Sequence, residues 1–149
     1  MTLQITHRVM QAIDIFHLKG PLTFGEADLM LQTEIENLIS RGKTRLVLDL
    51  GEVSEIDSMG CITLLCTEER LHNLGGGLAL VHVGSPRKDP FEVGKLEMAF
   101  EPFELEQEAV NSFFSDLRVK HIDLLELIKS YRKETRPRSS VESCRIGTS

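Results

Sequence analysis

Tryptophan is missing from this chain and tyrosine occurs once, so a core must be built from Leu, Ile, Val and the seven Phe. No apolar run approaches the ~18 residues that a membrane span requires. The segment Met1 to Val9 lacks the basic-then-apolar layout of a secretory leader and alternates like a strand instead. Cysteine is scarce. Three of them, an odd number without framework spacing, point to reduced thiols and a cytoplasmic location.

Enzyme and cofactor signatures are also lacking. Gly75-Gly76-Gly77 has neither the GK[ST] ending of a phosphate loop nor a GxGxxG arrangement. It ends a helical pattern rather than opening one, where the helix dipole has the wrong sign for phosphate. Cys61, Cys66, His72 and His82 do not make a metal site by spacing: five residues turn Cys66 about 140° from Cys61 around a helix. No second C-x₂₋₄-C pair exists. No His is placed to activate a serine, so no catalytic residue is expected, and neither a cofactor nor a metal.

What is present suits a globular domain: 149 residues, 41% hydrophobic and 27% charged. The charge is uneven. Residues 1–115 hold 9 Lys and Arg against 18 Asp and Glu, and residues 116–149 hold 8 against 5, so −9 and +3 give the net −6. An acidic body is a poor match for a polyphosphate backbone, which argues against direct nucleic-acid binding.

Periodicity predicts the elements. Leu3 to Val9 and Ile13 to Leu18 alternate as a hairpin around Met10–Ala12, and Gly20-Pro21 breaks the pattern. A helix runs from Gly25 to Ser40 on Ala27, Leu31, Ile35 and Leu38. Arg45 to Leu50 and Leu78 to Val83 are dense apolar runs of buried strands. Between them a helix starts at Asp57-Ser58-Met59-Gly60 and stops at the glycine triplet, with Glu68, Glu69 and Arg70 as a solvated face. Further helices are expected at Pro90–Met98 and Glu106–Asp116, with a Pro-containing edge strand at Phe100–Glu104 between them. The domain covers 1–117. Another helix is expected at 118–133, carried by Ile122, Leu125, Leu127 and Ile128, and a disordered tail at 134–149.

One segment is not explained by local stability. Asp57 and Ser58 are favoured helix caps, which alone implies no function. Gly60, however, costs about 1 kcal/mol relative to Ala in the first turn. A missing side chain there leaves the backbone beside Ser58 open to close approach. A serine hydroxyl at a helix N-terminus also suits a phosphate, stabilised by free N–H groups and the dipole. With Glu52, Glu55 and Asp57 nearby, that phosphate would build a negative patch able to repel a docked partner.

Leu46-Val47-Leu48-Asp49-Leu50, Val53, Ile56-Asp57-Ser58-Met59-Gly60 and Leu74-Gly75-Gly76 together resemble a STAS domain of the anti-sigma factor antagonist group, over about residues 3–117. The resemblance implies an α/β fold, a STAS-like mixed sheet of about five strands packed against about four helices, with a C-terminal extension. It implies no catalysis. It implies binding to an anti-sigma factor that is a GHKL-type serine kinase, release of a sigma factor, phosphorylation of the motif serine, here Ser58, and reversal by a PP2C-type phosphatase. Asp57, Met59 and Gly60 match its neighbours and are expected to contact the partner. Met59 stands where Ser or Thr is common. Thr23 stands where the family usually has an acidic residue after the second strand. A monomer or weak dimer without membrane contact is expected. Two other readings stay open: a non-switching STAS scaffold of a larger signalling or lipid-transport assembly, and a small-molecule sensor, for which the chain offers no phosphate-cradling loop.

Overall fold

The computed structural model describes residues 2–84, 88–115, 128, 129 and 131. The elements follow in the order β1 (Gln4–Met10), β2 (Ile13–Leu22), α1 (Glu26–Ser40), β3 (Arg45–Ile56), α2 (Ser58–Asn73), β4 (Gly77–Val81), α3 (Pro90–Ala99) and α4 (Glu106–Ser115). One mixed sheet runs β1-β2-β3-β4, antiparallel between β1 and β2 and parallel across β2, β3 and β4. No helix among the described residues is long and apolar enough to cross a membrane.

Period-two alternation explains why the first half of β3 is apolar on both sides, at Leu46, Val47, Leu48 and Leu50. Leu46, Leu48 and Leu50 join Phe16, Leu18 and Leu80 in a core shared with Leu31, Ile35 and Leu38 of α1 and Ile62 and Leu65 of α2. Val47 points the other way, with Ile13, Ile15, Ala79 and Val81, against Ala109 and Val110 of α4. Each such side chain stabilises the fold by roughly 1.5–3 kcal/mol through burial. With α1, α2 and α3 on one face and α4 on the other, the apolar run Leu46 to Leu48 has no solvent side.

The glycine triplet is a helix stop with a second duty. Gly75, at φ +91, follows the last residues of α2; its N–H meets the His72 carbonyl and that of Gly76 meets the Leu71 carbonyl, a Schellman ending. A Cβ on Gly76 would lie 1.8 Å from the Thr44 carbonyl oxygen, so this glycine also lets β4 start against the chain entering β3.

The hairpin expected around Met10–Ala12 is present, and Gln11 (φ 53) and Ala12 (φ 67) both take the left-handed conformation of a two-residue turn. Four local expectations change. β2 does not break at Gly20-Pro21 but runs through it to Leu22. The fifth strand shrinks to a single parallel bridge, Phe103 to Val81, because Pro102 has no N–H to extend a ladder. Glu68 is not on a solvated face: it is 2% exposed and accepts the Leu78 N–H at 2.7 Å, tying α2 to β4. His82 falls just past β4, at φ +58. Of the helix expected at 118–133, only Ile128, Lys129 and Tyr131 belong to the described residues. They are helical, with Ile128 and Tyr131 buried and the Tyr131 hydroxyl bonded to Glu92. The tail expected at 134–149 lies outside the described residues.

Candidate functional site

Leu22 and Ile56 are partners in the parallel register of β2 and β3, so the two strands end side by side and the loops leaving them converge. Asp57 takes the N-cap of α2 with an extended backbone, and its Oδ1 accepts the Gly60 N–H at 2.9 Å. Its Oδ2 accepts the Phe24 N–H at 2.9 Å. One carboxylate therefore caps the helix and fixes the loop that carries Thr23.

Ser58 is the first residue of α2 and is half-buried. Among the described residues its hydroxyl has no hydrogen-bond partner, and the backbone N–H groups of Ser58 and Met59 have none either. These are the orphan donors of a helix start, carrying its partial positive charge. The hydroxyl is free to accept a phosphoryl group, and the donors beside it suit the resulting anion.

The other expected residues are placed as follows. Met59 is half-buried and packs on the core. Thr23 is half-buried in the loop, its carbonyl accepting the Asp28 N–H at 3.2 Å. Gly60 is buried. A Cβ on it would meet the Leu22 carbonyl oxygen at 2.4 Å. The close approach inferred from sequence is thus real, and the approaching group is this chain's own β2. That packing accounts for the glycine without a partner.

The acidic surroundings are also redrawn. Glu52 hydrogen-bonds His17 and turns away from the serine. Its place is taken by Asp28 of α1, which the sequence reading missed. Asp28 accepts hydrogen bonds from Thr63 on α2 and from Gln32. Burial pushes its carboxyl above the ordinary range, the two hydrogen bonds oppose this, and the charge of Asp57 adds to the rise. An aspartate one turn into an amphipathic helix gives no signal of this; only the packing of α1 on α2 buries it.

Around the serine the surface is apolar. Phe24 is 70% exposed and Leu29 65%, both beside the loop that Asp57 holds. The start of α3 is tied to the first turn of α2 by the Cys61 thiol donating to the Glu92 carbonyl at 3.6 Å, which brings exposed Phe91 to the same end of the molecule. Cys61 itself is a buried free thiol whose pKa burial raises, so it is a poor metal ligand or nucleophile. His72 is exposed at the far end of α2, about three helical turns from Cys61, and His82 lies against Asp49.

Solved structures share this fold. A candidate anti-sigma factor antagonist of Thermotoga maritima superposes with a TM-score of 0.64 at 17% identity, over 74% of this chain and 94% of its own. The anti-sigma factor antagonist SpoIIAA, in its unphosphorylated form, gives 0.54 at 21% identity, over 73% and 94%. The murine anion transporter Slc26a9 gives 0.57 at 18% identity, over 76% of this chain but 22% of that one. No curated protein matches the sequence. The family model of the STAS domain matches residues 4–109, most of the ordered body described above. The chain belongs to the STAS domain family.

Proposed function

We propose that the protein is an anti-sigma factor antagonist. It binds an anti-sigma factor that is a GHKL-type serine kinase, so that a sigma factor is released, and phosphorylation of Ser58 switches it off. A PP2C-type phosphatase restores it. The reading rests on one observation: an unpartnered serine hydroxyl at the start of α2, set in a rim of exposed Phe24, Leu29 and Phe91. Exposed apolar groups on this scale mark protein-docking surfaces. A phosphate on Ser58 is tolerated by the fold, since free N–H groups and the helix dipole face it. It adds about −1.5 to −2 charges beside Asp57 and Asp28, which a docked apolar or acidic partner surface rejects. Thr23 and Met59 border the docking surface, while Gly60 acts from below by seating α2 on β2. Likeness to anti-sigma factor antagonists supports the reading. The protein carries out no catalysis of its own in this role; it works in the cytoplasm as a monomer or weak dimer and makes no direct contact with nucleic acid or membrane.

The test is incubation with the cognate kinase and Mg-ATP, read by intact mass. One phosphate is expected on the wild type and none on Ser58→Ala, and Ser58→Asp should lose the anti-sigma complex. Equal labelling of wild type and Ser58→Ala sinks the proposal. The likeness to a domain of Slc26a9 supports a second reading, a non-switching scaffold within a larger signalling or lipid-transport assembly. Absence of labelling together with a high-mass complex in light scattering would favour that one.

A further inference from the structure

On the sheet face opposite α1 and α2, three elements bring together His17 of β2, Asp49 of β3 and Glu106, the first residue of α4. One ligand atom from each lies within 4.8 Å of the others. His17 and Asp49 are partners in the parallel register, and α4 is held on this face by Ala109 and Val110. We propose that this cluster is a binding site for a divalent transition ion of the zinc class, independent of the Ser58 surface.

The hydrogen bonds around the cluster decide which atoms face inward. Asp49 is 5% exposed. Its Oδ1 is already engaged: it accepts the Gly51 N–H at 2.9 Å and lies 3.0 Å from His82 Nδ1. Its Oδ2 stands 3.5 Å from His17 Nδ1. On the other side of the ring, His17 Nε2 hydrogen-bonds the Glu52 carboxylate, which leaves Nδ1 turned toward Asp49. Two electronegative atoms facing each other in that position need a positive charge between them, and a metal ion bound to both supplies it. An imidazole that gives one N–H to a carboxylate and turns its other nitrogen inward is the usual posture of a ligating histidine. The 3.5 Å between His17 Nδ1 and Asp49 Oδ2 is also close to what metal–ligand bonds of about 2.0–2.2 Å in tetrahedral geometry require, and Glu106 lies within 4.8 Å of both.

Charge agrees with a cation. A Cβ on Gly51 would come within 3.2 Å of Asp49 Oδ1 and 3.3 Å of His82 Nδ1, so the glycine eases the approach of His82 to the carboxylate. Asp49, Glu52 and Glu106 outnumber the two cations nearby. Arg8 is paired with Glu106 from the half-exposed rim and is able to swing out. Lys88 is anchored on the His82 carbonyl at 3.2 Å, with the Asp49 charge acting on its ammonium. One imidazole and two carboxylates without a thiolate suit Zn²⁺, with Co²⁺ and Ni²⁺ as neighbours in affinity and Mn²⁺ well below them. A nitrogen ligand disfavours Ca²⁺ and Mg²⁺. Three protein ligands leave a position for water.

Chelator-treated, tag-free full-length protein titrated with Zn²⁺ at about pH 7.5 should show one saturable site in calorimetry and a higher Tm, with no response to Mg²⁺. His17→Gln and Glu106→Gln should each weaken binding at least about tenfold, and His72→Gln should leave it unchanged. Circular dichroism of each variant reports whether its fold is kept. Should the variants unfold, Co²⁺ on the wild type decides: a ligand-field spectrum without a thiolate band supports the site, and a thiolate band overturns it. No saturable binding, or unchanged binding in a folded His17→Gln/Glu106→Gln double variant, also overturns it.

Discussion

The Asp57 carboxylate accepts the backbone N–H of Phe24 at 2.9 Å from across the sheet end, while its other oxygen caps α2 at Gly60. The loop carrying Thr23 and Phe24 and the helix start carrying Ser58 are therefore positioned by one side chain. Asp57→Ala removes both bonds. A lost N-cap costs about 0.5–2 kcal/mol, and the Phe24 bond adds about 1 kcal/mol. Chemical denaturation should show a loss of about 2 kcal/mol, and Asp57→Asn, which keeps an acceptor oxygen, should restore part of it.

Gly60→Ala places a methyl group 2.4 Å from the Leu22 carbonyl oxygen. Backbone cannot rotate away as a side chain does, so α2 must shift from β2, at a cost of about 1–3 kcal/mol. Thermal unfolding measures that cost. Partner affinity should fall as well, since the shift moves Ser58 relative to Phe24.

Asp28 makes stability depend on pH in an unusual direction. Its folded carboxyl is raised above the ordinary 3.8 by burial, so the folded state keeps this proton to a higher pH than the unfolded chain does. Where the folded state binds more protons, stability falls as pH rises. The contribution is fully favourable below the ordinary carboxylate range and is lost as pH rises through the folded pKa. Asp28→Asn carries no charge at any pH. Urea unfolding should find it equal to wild type at about pH 3 and more stable than wild type at about pH 7.5.

Ala12 sits at φ +67 in the β1–β2 turn, where a Cβ meets its own backbone. That conformation costs an L residue roughly 1–2 kcal/mol, of which glycine's greater unfolded freedom takes back a part. Ala12→Gly should raise the Tm modestly without altering the Ser58 surface, which lies at the far end of β2. No change or a fall would show the turn to be held by other contacts, among them the Gln11–Gln107 side-chain bond.

The elements were legible in the sequence because each rests on a local rule. Alternation gave β1 and β2, dense apolar runs gave β4 and the first half of β3, the 3.6-residue recurrence of Ala27, Leu31, Ile35 and Leu38 gave α1, and Asp57 and the glycine triplet bounded α2. The position of Ser58 at a helix start was legible for the same reason. Its family likeness, carried by the strand before it and the glycine after it, was legible too.

The tertiary structure alone decided what those residues meet. Gly60 is bare because Leu22 presses on it from a strand 38 positions earlier in the chain. Asp28 is acidic ground beside the serine because α1 packs on α2, and Glu52 is not because it pairs with His17. His17, Asp49 and Glu106 converge only once β2, β3 and α4 share a face. Periodicity reports which side of its own element a residue takes. It carries no information on which distant backbone, carboxylate or ring arrives at that side, because those contacts are fixed by register and packing between elements.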